Sequence, residues 1–189
     1  MRLQPHLFDM PIESKDFSMY QNLPHISEKF LYQFVTFRTQ ASTDEYVRTC
    51  LQAQNVTTKR VQYELDAYLD RSQKGAYFYD EILDMTHKYL LDLNPQLCEM
   101  VAFSIMPNHL HLLFVQHDDL AKIIRYIKGG LSYRINNKIG KRGEFWQRNY
   151  FDKAVRDATH FDVVYRYIKH NAIKANLEDS EKRFYGIYE

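Results

Sequence analysis

The stretch CEMVAFSIM-PN-HLHLLFV, residues 98–115, decides how this chain is read. Both flanking runs are short, apolar and rich in β-branched or aromatic residues, which is strand composition. Pro107-Asn108 between them is turn chemistry. The segment therefore predicts a β-hairpin with strands at 98–106 and 109–115. Side chains alternate along a strand, so His109 and His111 share one face while Leu110, Leu112 and Phe114 point to the other. Two adjacent imidazoles can hold one divalent ion, each through one ring nitrogen. As a bare pattern the pair is common, and two polar surface histidines would look the same. Its place at the head of a strongly apolar strand, just after a tight turn, sharpens it.

Working outward, FLYQFVTFRT (30–39) alternates and reads as a strand. Residues 57–72 and 79–93 carry apolar side chains at helical spacing. Residues 120–139 predict a long helix interrupted by Gly129-Gly130, followed by a basic loop at 140–143. NYFDKAVRD (149–157) reads as a short strand, and 159–177 as a last amphipathic helix. The order β, helices, β–β, helix, β, helix predicts an α+β fold. Its core is a ferredoxin-like split βαβ, with an antiparallel sheet carrying the histidine pair and helices packed on it. Residues 1–28, with Pro5, Pro11 and Pro24, read as an N-terminal arm, and 29–189 as a single domain.

A chain of 189 residues buries roughly 70% of its unfolded surface, enough for a substantial core. Cys50 and Cys98 are far apart and form no disulfide or zinc pattern. No apolar leader and no long apolar run is present, so a cytoplasmic address and no membrane partner are expected. Net charge is only +1, but it is unevenly spread. Residues 121–160 hold ten basic and three acidic side chains, or +7, leaving −6 for the remainder. A segment this basic can form an electrostatic footprint for phosphates.

Tyr167 and Asn171 lie four apart on the last helix and so share a face. A tyrosine there can act as a nucleophile and an Asn carbonyl can ligate a metal. Tyr133, Tyr150 and Tyr165 are rivals, and a packing role is the plain alternative. Trp146 can stack a base or plug the core. Lys128 before Gly129-Gly130 offers a cation beside closely approachable backbone.

Taken together, these segments resemble the single-tyrosine transposases of the histidine–hydrophobe–histidine endonuclease superfamily, in the branch associated with repetitive extragenic palindromes. MPNHLHLLF (106–114) resembles the family's signature strand and VTFRT (35–39) its first strand. IKGGLSYRINNKIGKRGEFWQRNYFDKAVRD (127–157) resembles its Lys-Gly helix and Trp-Gln segment, and YIKHNAIKANL (167–177) its closing helix. Ala172 stands where the family usually has proline, and Asn176 where it has glycine. The resemblance implies a DNA transposase and single-strand endonuclease that cleaves and rejoins hairpin-containing DNA through a 5′-phosphotyrosine. In it Tyr167 is the nucleophile, and His109, His111 and Asn171 hold Mg²⁺ or Mn²⁺. From charge and residue type, Arg38, Lys128, Arg134, Lys138, Trp146 and Arg148 are the candidate contacts to the single strand, and a homodimer is left open.

The competing reading within nucleic acids is a hairpin-binding module of the same fold that does not cut. A small metal-dependent hydrolase uses the histidines but leaves the basic segment unexplained. A structural or regulatory protein leaves the joint order of the motifs unexplained.

Overall fold

A computed structural model describes residues 29–42 and 66–189; the arm at 1–28 and most of the helix expected over 57–72 lie outside the described residues, with 66–71 helical. The elements are β1 (Tyr32–Arg38), a 3-10 turn (Gln40–Ser42), α1 (Asp80–Leu91), β2 (Cys98–Ile105), β3 (His109–Gln116), α2 (Leu120–Ile139), β4 (Phe151–Ala154), α3 (Ala158–Lys174), α4 (Ser180–Arg183) and β5 (Phe184–Gly186). The sheet runs β4-β1-β3-β2-β5 with every pair antiparallel. Its first four positions have the order of a split βαβ, as the hairpin and the interleaved helices predict.

The two sheet faces bury different sets of side chains. Val35, Phe37, Phe103, Leu110, Leu112 and Phe114 face α1 and α2. Phe34, Ala102 and Leu113 face α3, through Val164, Tyr165 and Ile168. Even-numbered residues of β3 therefore serve the α1/α2 core, and the odd set, His109, His111 and Leu113, looks toward α3. That alternation is the one read from the sequence, but both faces are covered, so the histidines are interior rather than surface groups.

The helix α2 runs unbroken through Gly129-Gly130, where the sequence suggested an interruption. The glycines answer a packing demand instead. A Cβ on Gly130 would stand 2.1 Å from Tyr89 Oη on α1, whereas one on Gly129 would meet open space. Asp119 caps α2 by accepting from Lys122 N at 2.9 Å, and Gly140 closes it in the left-handed conformation at φ 66°.

At the other end, α3 stops at Lys174, three residues before the sequence-based limit. Asn176 N donates to Ile173 O and Leu177 N to Ala172 O, closing the helix with Asn176 at φ 54°. Asparagine tolerates this left-handed position better than most non-glycine residues, so the Asn176 departure preserves the turn. Alanine at 172 lets α3 continue where proline would remove a backbone donor.

The strand β5 was not anticipated: three residues carry too short an alternation to read. Arg183, fully buried, fixes it in place. Its guanidinium donates to Phe78 O and Ile105 O at 3.0 and 2.9 Å and pairs with Asp179.

Candidate active site between the β2–β3 hairpin and helix α3

The turn that begins β3 also orients the first histidine. The Asn108 amide Nδ2 donates to Leu69 O, Ser72 O and Lys74 O at 3.0, 2.9 and 3.3 Å. Only an NH₂ group can face three carbonyls, so Asn108 Oδ1 is the atom that meets His109 Nδ1 at 2.7 Å. An amide oxygen accepts and cannot donate. His109 Nδ1 therefore carries its proton, and His109 Nε2 is left as a lone pair.

His111 Nε2 lies 3.0 Å from His109 Nε2, while His111 Nδ1 meets Thr36 Oγ1 at 2.8 Å. With a lone pair on His109 Nε2, the proton between the rings belongs to His111 Nε2, and the Thr36 hydroxyl donates to His111 Nδ1. A hydroxyl can also accept. Thr36 can thus turn to receive a proton at His111 Nδ1 and free the second Nε2 for a cation. Both rings are wholly buried. Burial, then His111 and Arg38, pushes His109 well below the ordinary imidazole range, and burial takes His111 down to about 3.

Tyr167 comes from α3 to the same point. Its ring packs edge-on against His111, with centroids 5.2 Å apart, and against Phe34. Its hydroxyl donates to Asp66 Oδ2 at 3.0 Å. Burial, then the Asp66 and Asp70 charges, holds the phenol well above its usual range. Tyr165, two residues away, turns aside to Phe161 and Phe184, as helical geometry requires. Asn171 lies one turn beyond Tyr167, buried, and its Nδ2 has no hydrogen-bond partner among the described residues.

Two carboxylates that the sequence reading missed complete the surroundings. Asp66 meets Tyr167, and Asp70 Oδ1 lies 3.7 Å from His109 Nε2. Burial, then the Asp66 charge, raises Asp70 to about 7. The available signal was the four-residue spacing of Asp66 and Asp70, which puts both on one helix face. Thr36 and Asn108, which set the ring orientations, were also missed. A hydroxyl and an amide become legible as histidine partners only once β1 and the 66–74 backbone are placed beside the hairpin.

A divalent metal fits this donor set. Two donors that are each about 2.1 Å from one ion stand no more than about 4.2 Å apart, and the two Nε2 atoms meet that bound. Their Nδ1 atoms are held by outer partners, the arrangement that aims a ligating imidazole. Among the described residues no three His, Cys, Asp or Glu side chains converge on one ion as they stand.

The expected nucleic-acid contacts divide. Arg38, in register with His109 across β1 and β3, is partly buried and donates through Nε to Gln147 Oε1. It borders a small cleft with Thr36, Leu69, Gln147, Asn149 and Tyr150. Arg148 is exposed. Arg134 lies over the Tyr89 ring, and Lys138 pairs with Glu81. Lys128 acts as an internal strap, donating to Gln147 O and Arg148 O at 2.6 and 3.1 Å, and burial lowers it to about 8. Of the two roles open to Trp146, the structure shows the core plug. It is 5% exposed, packs on Phe37 and Phe78, and its indole donates to Lys128 O. Its own core contacts occupy the faces that a base would need.

Replacing Asn108 with alanine is expected to cost about 3 kcal/mol, because three carbonyls and the His109 Nδ1–H lose their partner together. Urea unfolding checks this; a loss below about 1 kcal/mol would show that water replaces the amide.

The family described as "Transposase IS200 like" matches residues 71–171. That is more than half of the chain, and the protein belongs to this transposase family. A Haemophilus influenzae protein assigned as a REP-associated tyrosine transposase is 29% identical over 135 residues, covering 56% of this chain and 77% of the relative. Two solved structures are also similar. One is a REP-associated tyrosine transposase bound to a REP hairpin, at 16% identity and TM-score 0.47, covering 81% of this chain and 73% of that one. The other is assigned as a transposase of Deinococcus radiodurans, at 16% identity and TM-score 0.45, covering 79% and 97%. Among the described residues no helix is long and apolar enough to cross a membrane.

Proposed function

We propose that this transposase-family protein is a metal-dependent endonuclease and strand transferase acting on single-stranded DNA that folds into hairpins. The observation that carries this reading is the meeting of Tyr167 with the His109–His111 pair within one chain. That meeting needs no second copy to complete it.

Tyr167 Oη forms a bond to phosphorus as the bond from phosphorus to the 3′ oxygen breaks. The products are a 5′-phosphotyrosine and a free 3′-hydroxyl. Attack by a second 3′-hydroxyl reverses the step and rejoins strands without an outside energy source. The phenolic proton faces Asp66 Oδ2. His109 and His111, with the Asn171 amide oxygen as an auxiliary ligand, would hold Mg²⁺ or Mn²⁺, which supplies Lewis acidity at the scissile phosphate. Arg38 and Arg148, beside the cleft and on the basic 121–160 segment, are suited to the phosphate backbone.

A specific observation favours a second reading, in which the protein binds hairpins without cutting. The histidines are fully buried and the Tyr167 hydroxyl is tied to Asp66. As it stands, the Tyr167 hydroxyl is engaged by the Asp66 carboxylate rather than open to a phosphodiester. The discriminating experiment incubates the full chain with labelled hairpin single strands and Mn²⁺, with EDTA as control, and resolves the products under denaturing conditions. A metal-dependent protein–DNA adduct is expected. Salt-sensitive binding with no adduct on any hairpin would replace the nuclease reading with the binding one.

A further inference from the structure

We propose that Asp70 is a direct carboxylate ligand of the ion held by His109 and His111, giving this chain a two-histidine, one-aspartate metal site. The inference rests on the metal-dependent reading above and assigns a residue outside the 71–171 region that the family shares.

Three observations converge. Asp70 Oδ1 lies 3.7 Å from His109 Nε2, inside the limit of about 4.2 Å for two donors on one ion. The same oxygen is buried and has no hydrogen-bond partner among the described residues. A carboxylate oxygen out of water with no donor is costly unless a cation answers it. Finally, Asn108 Nδ2 grips Leu69 O and Ser72 O, the carbonyls on either side of Asp70, while Asn108 Oδ1 holds the His109 ring. One side chain thus fixes both donors relative to each other.

The three donors do not yet close on one point. Closure needs a rotation of the Asp70 side chain, which keeps 20% exposure and hence room to turn. Asn171, the other candidate oxygen ligand, is buried with an Nδ2 that has no hydrogen-bond partner among the described residues. Two imidazoles and one carboxylate suit Mn²⁺ and its first-row neighbours.

The test measures Mn²⁺ binding to the full-length chain by calorimetry, without DNA. Asp70→Asn is expected to weaken binding at least about tenfold. His109→Ala should remove binding. The ion-free thermal midpoint of Asp70→Asn should stay level or rise, since an uncompensated carboxylate is removed. A second variant reads coordination directly. Asp70→Cys should trade Mn²⁺ for Cd²⁺ and show a thiolate-to-cadmium ultraviolet band that the unaltered chain lacks. Near-normal Mn²⁺ affinity in Asp70→Asn, with no such band in Asp70→Cys, overturns the assignment while leaving the histidine metal site standing. If the unaltered chain binds no Mn²⁺, the metal-dependent reading itself falls, and Asp70 with it.

Discussion

Tyr167→Phe is expected to abolish the covalent protein–DNA adduct while leaving the fold in place. The substitution keeps the ring that packs on His111 and Phe34. It deletes only the hydroxyl, whose partner is Asp66 Oδ2, and one such hydrogen bond contributes about 1 kcal/mol. Loss of the attacking oxygen, by contrast, removes the reaction path, a fall of about a thousandfold or more in cleavage rate. The readout is adduct yield beside a urea unfolding curve for the same variant. Tyr165→Phe and Tyr150→Phe serve as controls. Tyr165 faces Phe161 and Phe184, and Tyr150 lines the cleft with its hydroxyl buried. An adduct that survives in Tyr167→Phe and disappears in Tyr150→Phe would move the nucleophile to the cleft.

Without metal, the protein should lose stability steeply below about pH 6.5. His109 and His111 titrate near 6.5 when unfolded but are held neutral in the fold, His111 down to about 3. A depressed folded pKa means that their contribution is present above 6.5 and lost as pH falls. Asp70 has the opposite sign. Raised to about 7, its contribution is present in acid and lost as pH rises through that value. At about pH 5 the unfolded chain binds two protons at these histidines, and the native chain binds one at Asp70. The difference of one proton gives about 1.4 kcal/mol of stability lost per pH unit of acidification. Urea midpoints in EDTA at pH 7.5, 6 and 5 measure this slope. Asp70→Asn should roughly double it, since the opposing carboxyl is gone. A midpoint that stays flat to pH 5 would mean that the rings are not buried as neutral imidazoles.

These two results probe different layers of the same site. The first concerns an atom that the helical spacing of Tyr167 and Asn171 already singled out. The second depends on burial, which spacing cannot report. The histidine pair was legible because strand alternation sends His109 and His111 one way and Leu110, Leu112 and Phe114 the other. Nothing local says that α3 will roof the polar side and exclude water from both rings. Trp146 shows the same gap from the other direction. Beside Gln147 and Arg148 in sequence it could be a base platform or a core plug, and only Phe37 and Phe78, arriving from β1 and the α1 approach to enclose it, decide for the core.

Local pattern in the chain was enough to specify the hairpin at 98–115, the split βαβ order of the elements, the shared face of the two histidines and the helix bearing Tyr167 and Asn171. Each of these follows from periodicities of two or 3.6 residues acting within one segment. Tertiary structure alone decided that Asn108 locks the His109 tautomer, that Thr36 answers His111, and that Asp66 and Asp70 stand against the tyrosine and the histidines. These contacts join residues up to 101 positions apart. They depend on how the sheet and the 66–74 backbone pack together, which no local pattern encodes.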